Sequence, residues 1–277
     1  MKKQLKIIGG AMLLGAVLFG GMSIRGGAAA NDPYVYFSDE NLRYILVRNL
    51  EQESGLEIVN QLPTASQIQE FKGDSFSWEV GKSIEGLQYL PETVTKIIGS
   101  ESDTVDLSPI YEGRNNYTGK YGMEHLKEIT INAAFVKDER ELESIANLEN
   151  LERLKIYDTN DSFNDFSDGL WISNDNLEYL RYYGGGDYPT QTMDKASTEF
   201  SLISPILINN YGVLKGGTVT YTSTNNGFSV DDNVLRWELH PGDWGERSID
   251  FTWKCEYKEN GKDFELTGTV YIPLNKI

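Results

Sequence analysis

Cysteine is all but missing from this chain: Cys255 is the only one in 277 residues, so no intrachain disulfide can form and packing must hold the fold together. None follows the apolar run near the N-terminus, which excludes a lipoprotein anchor. Histidine is nearly as scarce. His125 and His240 are the only two, and no Cys or His spacing offers a metal site. A hydrolytic centre needs a base within hydrogen-bond reach of its nucleophile. Two isolated histidines do not supply that, so no enzymatic activity, catalytic residue, metal or cofactor is expected. Positive charge is short as well: 25 Lys and Arg face 42 Asp and Glu, a formal net charge of −17. An excess of that sign opposes binding to nucleic acid or to anionic lipid.

Apolar stretches are also short. The run from Ile7 to Met22 falls below the roughly 20 residues of a spanning helix and is broken by glycines. Lys2, Lys3 and Lys6 precede it; Ala28-Ala29-Ala30 and the polar Asn31-Asp32-Pro33 follow. This is the three-part layout of a secretory signal peptide, with cleavage expected after Ala30. Cleavage removes four bases, Lys2, Lys3, Lys6 and Arg25, and no acid, taking the formal charge from −17 to −21. Export without disulfides fits a bacterial secreted protein, with no stable membrane insertion once the leader is gone.

What the chain does have is a repeated spacing. In Ile145 to Thr159 the apolar residues Ile145, Leu148, Leu151, Leu154 and Ile156 lie three, three, three and two apart, which suits neither a helix face nor simple strand alternation. That is the signature of a leucine-rich repeat, whose last two apolar residues sit on one face of a short strand. Met123, Leu126, Ile129 and Ile131 repeat it, as do Leu177, Leu180 and Tyr182; Leu126 to Leu151 is 25 residues and Leu151 to Leu177 is 26. A weaker copy at Val94 and Ile97 lies 32 residues before Leu126, with the polar insertion Glu112 to Tyr121 supplying the excess. The spacing predicts about four coils, each burying its apolar edge on its neighbours.

Ahead of the repeats, Ser38 is a candidate N-cap, Asp39 and Glu40 suit the positive end of a helix dipole, and Leu42, Ile45, Leu46 and Leu50 form an apolar stripe that Gly55 ends. Thr64 and Gln67 form a capping box for a second helix. Behind the repeats the pattern becomes strict alternation. Ile249, Phe251, Trp253 and Cys255 share one face of a strand; Phe264, Leu266, Val270 and Ile272 share one face of another, with an Asn260-Gly261 turn between. Cys255 thus reads as a small buried hydrophobe and not a reactive thiol. Val219 and Tyr221, and Val234 to Leu239, supply further strands, so a β-sandwich of about seven strands is expected.

Three stretches carry a family resemblance. Phe37-Ser38-Asp39-Glu40-Asn41-Leu42, Ser83-Ile84-Glu85-Gly86-Leu87-Gln88-Tyr89-Leu90-Pro91 and Asp106-Leu107-Ser108-Pro109-Ile110 resemble, in wording and spacing, the cap and first repeat of bacterial internalins. Arg236-Trp237-Glu238-Leu239 and Leu266-Thr267-Gly268-Thr269-Val270 through Pro273-Leu274 are similar to the domain behind the internalin repeats. The resemblance implies an α+β multidomain chain: signal peptide in 1–30, helical cap in 31–82, curved leucine-rich repeat solenoid in 83–198, and immunoglobulin-like β-sandwich in 199–277. The sandwich is expected as a stiff extension, with Tyr182 and Tyr188 at the joint. Two departures stand out. The repeat position that usually carries asparagine, three residues after the last strand leucine, holds Ser102, Ala134, Thr159 and Gly185. No wall-sorting motif is seen, which points to a released protein or one held at the bacterial surface by a partner.

The acidic run Asp158, Asn160, Asp161, Asn164, Asp165 and Asp168 invites a calcium reading, but Phe163 stands where an EF-hand needs glycine and Gly169 where it needs glutamate. A loop built from Asx turns explains the same residues. Trp237-Glu238-Leu239, which matches a short wall-binding signature, reads as core. The resemblance implies adhesion or recognition, with an extracellular protein or glycan, a host receptor among the candidates, bound on the concave repeat face; the alternative is a structural cell-envelope protein whose partners are other bacterial surface proteins. On that face side chains flank the two inward positions of each strand: Lys96, Ile98 and Ser100; Glu128, Thr130 and Asn132; Arg153, Lys155 and Tyr157; Tyr179, Arg181 and Tyr183. The last two sets, Arg153, Lys155, Tyr157, Tyr179, Arg181 and Tyr183, are the candidate partner-binding residues, because tyrosine and arginine dominate binding hot spots and here gather bases on an acidic protein.

Overall fold

The computed structural model describes residues 32–79, 83–100, 104–133, 135–136, 139–158, 171–208, 214–239 and 248–277. The expected leader, the acidic loop beyond Asp158, and His240 lie outside the described residues.

The chain enters through helix α1 (Glu40–Ser54), capped by the Asp39 side chain, which accepts from the Leu42 amide at 2.8 Å, and closed by Gly55 at φ 67°. The cap is therefore Asp39, one residue beyond Ser38. Leu42, Leu46, Val47 and Leu50 are buried, while Ile45 is half-buried at the margin of the stripe. Helix α2 (Ala65–Gln69) carries the capping box: Thr64 N–H donates to Gln67 Oε1 at 2.9 Å, and the Gln67 amide donates to Thr64 Oγ1.

The strands follow in order: β1 (Ser75–Glu79), β2 (Lys96–Ser100), β3 (Thr104–Val105), β4 (Glu128–Ala133), β5 (Phe135–Val136), β6 (Arg153–Asp158) and β7 (Tyr179–Asp187). Short helices α3 (Ser108–Tyr111) and α4 (Glu139–Ala146) lie in the connections. Then come β8 (Gln191–Met193), β9 (Glu199–Ile203), β10 (Thr218–Thr222), β11 (Phe228–Asp231), β12 (Val234–Glu238), β13 (Ser248–Tyr257) and β14 (Asp263–Lys276). β1, β2, β4, β6 and β7 pair in parallel, each with the next, and β3 pairs with β5 beside them.

Two rows of side chains explain the register. Phe76, Ile97, Ile129, Leu154, Leu180 and Phe264 face one another across successive strands, and so do Trp78, Gly99, Ile131, Ile156, Tyr182 and Leu266. All the apolar members are buried. Burying one such side chain is worth about 1.5–3 kcal/mol, and a one-residue slip would turn a whole strand's set to water. Gly99 is glycine because its neighbour is large: a Cβ there would lie 2.1 Å from the Trp78 indole.

The connecting turns are tied from coil to coil. Asn150 Nδ2 donates to the Glu124 carbonyl at 2.8 Å, and Asn176 Nδ2 does the same to Glu149 at 2.8 Å. Asn174, 8% exposed, donates to the Leu148 and Leu151 carbonyls and accepts from the Asn176 amide. An asparagine ladder is thus present, but it precedes the strands; the positions searched for it in the sequence follow them.

After β7 the chain builds its second layer. β9, β12 and β11 form a three-stranded antiparallel sheet. Trp237 on β12 is fully buried, with ring centroids 5.8 Å from Phe200, 5.2 Å from Phe228 and 6.4 Å from Phe251 of β13, and its Nε1 donates to the Asp250 carbonyl at 3.1 Å. The Trp237-Glu238-Leu239 tryptophan is core. Asn260 and Gly261, at φ 53° and 81°, turn β13 into β14, the positive pair that a tight hairpin needs.

The expected class is corrected by what β14 does. It pairs with β13 on one side and, over nine residues in parallel, with β7 on the other. The result is a mixed nine-stranded sheet in the order β1-β2-β4-β6-β7-β14-β13-β10, with β8 on the end of β14. An α+β multidomain chain of helical cap, curved leucine-rich repeat solenoid and immunoglobulin-like β-sandwich is not what forms, although the packing of β12 on β13 is compatible with a β-sandwich. The architecture is mostly β, helices are few and short, no helical solenoid occurs among the described residues, and one hydrogen-bonded sheet runs from the N-terminal strand into the C-terminal layer. At the junction Tyr182 is buried with its ring 6.5 Å from Trp253, and the Tyr188 amide donates to the Tyr271 carbonyl at 2.7 Å.

Candidate recognition face

One face of the parallel strands is buried and the other is open. On the open face the register sets Arg153 beside Tyr179, Lys155 beside Arg181 and Tyr157 beside Tyr183, so all six candidate residues come together. They differ in what each can still do.

The Tyr157 and Tyr183 rings are parallel within 2° at a centroid distance of 5.1 Å. That is close to the spacing of adjacent strands, about 4.7–4.9 Å, so the rings stand on the sheet facing each other and offer edges and hydroxyls to solvent. They form no flat platform. Such a pair is worth about 0.5–1.5 kcal/mol beyond its buried area. Tyr183 Oη donates toward Glu265 at 3.4 Å, and burial together with Glu265 pushes its pKa up, keeping the phenol protonated.

Tyr179 carries two guanidinium groups, with Arg153 Cζ at 4.3 Å and Arg181 Cζ at 4.2 Å from its ring centroid; Lys155 Nζ is 5.5 Å away. Arg181 is not available to an anionic partner. Its side chain is 13% exposed, Nη2 meets Asp263 Oδ2 at 2.6 Å, and Nη1 donates to the Leu180 and Asp263 carbonyls. Burial works against the Arg181 charge, but the bond to Asp263 outweighs it and raises the Arg181 pKa; the same bond lowers that of Asp263. The sequence presents Arg181 as a contact; the structure makes it a clamp between β7 and β14 and a support for Tyr179. Asp263 stands 82 positions away in sequence, which is why no local pattern shows it.

The surroundings set polarity. On the β14 side lie Asp263 and Glu265, the latter bridged by Lys254 at 3.0 Å, and on the β4 side Glu128 pairs with Lys96 at 3.1 Å. Arg153 and Lys155 form no ion pair among the described residues. The cationic part of the face is therefore β6, with an acidic border along β14.

Cys255 is fully buried, and burial pushes its thiol up to about 12. His125 is half-buried, and no cluster of His, Cys, Asp and Glu among the described residues could hold a metal ion. Among them no helix is long and apolar enough to cross a membrane. The insertion Glu112 to Tyr121 shows in the sequence only as extra length, in the 32-residue spacing from Val94 to Leu126.

No family model and no curated protein matches the chain. Solved structures that match include two of domains from Clostridium perfringens ZmpB. One holds CBM51-2 with GlcNAc together with INT domains, at 7% identity and a TM-score of 0.24; the other holds CBM51-2 and INT domains, at 8% and 0.26. Each match covers 88% of this chain and 37% of the other, and a likeness at these scores defines no shared fold.

Proposed function

We infer that this chain is an exported bacterial recognition protein, without enzymatic activity, that binds an extracellular protein or glycan on the open face of β6 and β7. The observation that carries the reading is the pre-ordered group of Tyr157, Tyr179, Tyr183 and Arg153, each held by a stacked ring or a guanidinium–ring contact. Immobilising a rotamer-rich side chain on binding costs about 0.5–1.5 kcal/mol, and side chains already held in place avoid much of that cost. Tyrosine and arginine are also the residues most enriched at binding hot spots. The leader-like N-terminus and the resemblance to internalins support an extracellular setting. The distribution of charge favours a partner whose acidic group lies over Arg153 and Lys155 and not over the Asp263 border.

The test is charge reversal at Arg153, which is exposed. Labelled protein is incubated with animal cells and with the bacterium's own envelope. Arg153→Glu should reduce capture on the surface that binds the wild type by about tenfold, the equivalent of 1.4 kcal/mol. Capture unchanged on both surfaces would remove the open face from the account.

A further inference from the structure

We propose that the connections ahead of β2 and β4 carry a second site, a cleft for a neutral saccharide built by the hairpin 113–122. It stands independently of the open face.

The hairpin is an insertion with its own architecture. Arg114 and Tyr121 pair across it, the Gly122 amide donates to the Gly113 carbonyl at 2.9 Å, and the Asn115 amide to the Lys120 carbonyl at 2.9 Å. Asn115 clamps it. At 4% exposure its Oδ1 accepts from the Tyr117 and Thr118 amides, while its Nδ2 donates to the Gln88 carbonyl in the preceding turn at 3.0 Å. Ordering backbone costs about 1–2 kcal/mol per residue, and the hairpin returns little apolar burial: Tyr117 is 44% and Tyr121 61% exposed. The clamp fixes surface polar groups in space, which core packing does not require.

Those groups line a cleft of about 660 Å³ between the hairpin and the turn before it. Small-ligand sites run from about 300 to 1,000 Å³, so one or two sugar rings fit. Two rings, Tyr89 and Tyr121, offer apolar surface. Asn116 Nδ2 donates to Tyr89 Oη at 3.3 Å, and Arg114 lies over Tyr121 with Cζ 5.6 Å from its centroid, so both rings are oriented. Glu85 and Glu112 add carboxylates, and Gln88 Nε2 donates to Glu85 Oε1 at 3.0 Å, holding it in place. A pyranose has a C–H face and a rim of hydroxyls that each donate and accept. Tyrosine rings suit the face; carboxylate, amide and guanidinium groups suit adjacent hydroxyl pairs. The charged lining has both signs, so neither an anion nor a cation meets an all-opposite wall, and a neutral polyol is the class that uses every group.

The full chain would be applied to a printed array of neutral mono- and disaccharides, and any captured sugar titrated by calorimetry against wild type, Tyr121→Ala, Asn116→Ala and Tyr157→Ala. Tyr121 and Asn116 are exposed, so these variants should melt at the wild-type temperature. The site is supported if Tyr121→Ala weakens binding at least about tenfold, Asn116→Ala weakens it measurably and Tyr157→Ala leaves it unchanged. It is overturned if the wild type captures no sugar at millimolar concentration, if Tyr121→Ala and Asn116→Ala both bind normally, or if Tyr157→Ala loses binding equally.

Discussion

His125 lies in the turn three residues before β4, as Asn150 and Asn176 lie three residues before β6 and β7; it precedes Asn150 by 25 residues, and Asn150 precedes Asn176 by 26. The asparagines each donate to a carbonyl in the turn ahead of the preceding strand; the His125 Nε2 is buried without a partner. Burial lowers its pKa most, Lys120 lowers it further, and Glu92 and Glu124 oppose the shift. With the folded pKa below the unfolded value of about 6.5, the unfolded chain binds the proton first as pH falls, and stability rises with pH wherever the unfolded state holds more protons. The His125 contribution is therefore full above about 6.5 and is lost as pH drops toward the folded pKa. Urea unfolding of wild type against His125→Asn across this window should show the wild type losing more stability on acidification. Parallel curves would mean that the imidazole titrates alike in the folded and unfolded states, and would contradict the shift.

At the scale of elements, the decisive contact is the nine-residue pairing of β7 with β14. It needs Gly185, because a Cβ there would come within 2.3 Å of the Thr269 carbonyl oxygen. That neighbour is backbone and cannot swing away, so Gly185→Ala should cost about 1–3 kcal/mol, the usual range for overpacking. The loss would be read as a lower urea midpoint, with earlier proteolysis near Met193; an unchanged midpoint would show that the strands can part without penalty. The same junction marks where sequence stops being informative. Ile129, Leu154 and Leu180 can be placed in register from the chain alone, since spacing and alternation are local. The change of pattern at Ser201 suggests a boundary between separate bodies, yet nothing near Tyr179 announces that Asp263 will be its neighbour. Arg181 was legible as an exposed base and not as half of an ion pair for the same reason. The ladder of Asn150 and Asn176 recurs one position before Leu151 and Leu177, ahead of the strands and not behind them, where the family pattern puts its asparagine.

At the scale of the whole molecule, an acidic protein presents one open sheet face on which tyrosines from adjacent strands meet at one level, bordered by carboxylates on β14 and by Arg153 and Lys155 on β6. Selectivity would then come from where a partner's charge lies, and affinity from the tyrosines, whose order is already set before binding. The most direct measurement is the affinity of the Tyr157→Ala, Tyr183→Ala double variant for the surface that captures the wild type, taken together with its thermal midpoint. Each truncation should weaken binding by about 1–3 kcal/mol, while the midpoint falls by only a few degrees, about what loss of the stacked ring pair accounts for. Wild-type affinity in the double variant would contradict the assignment of this face.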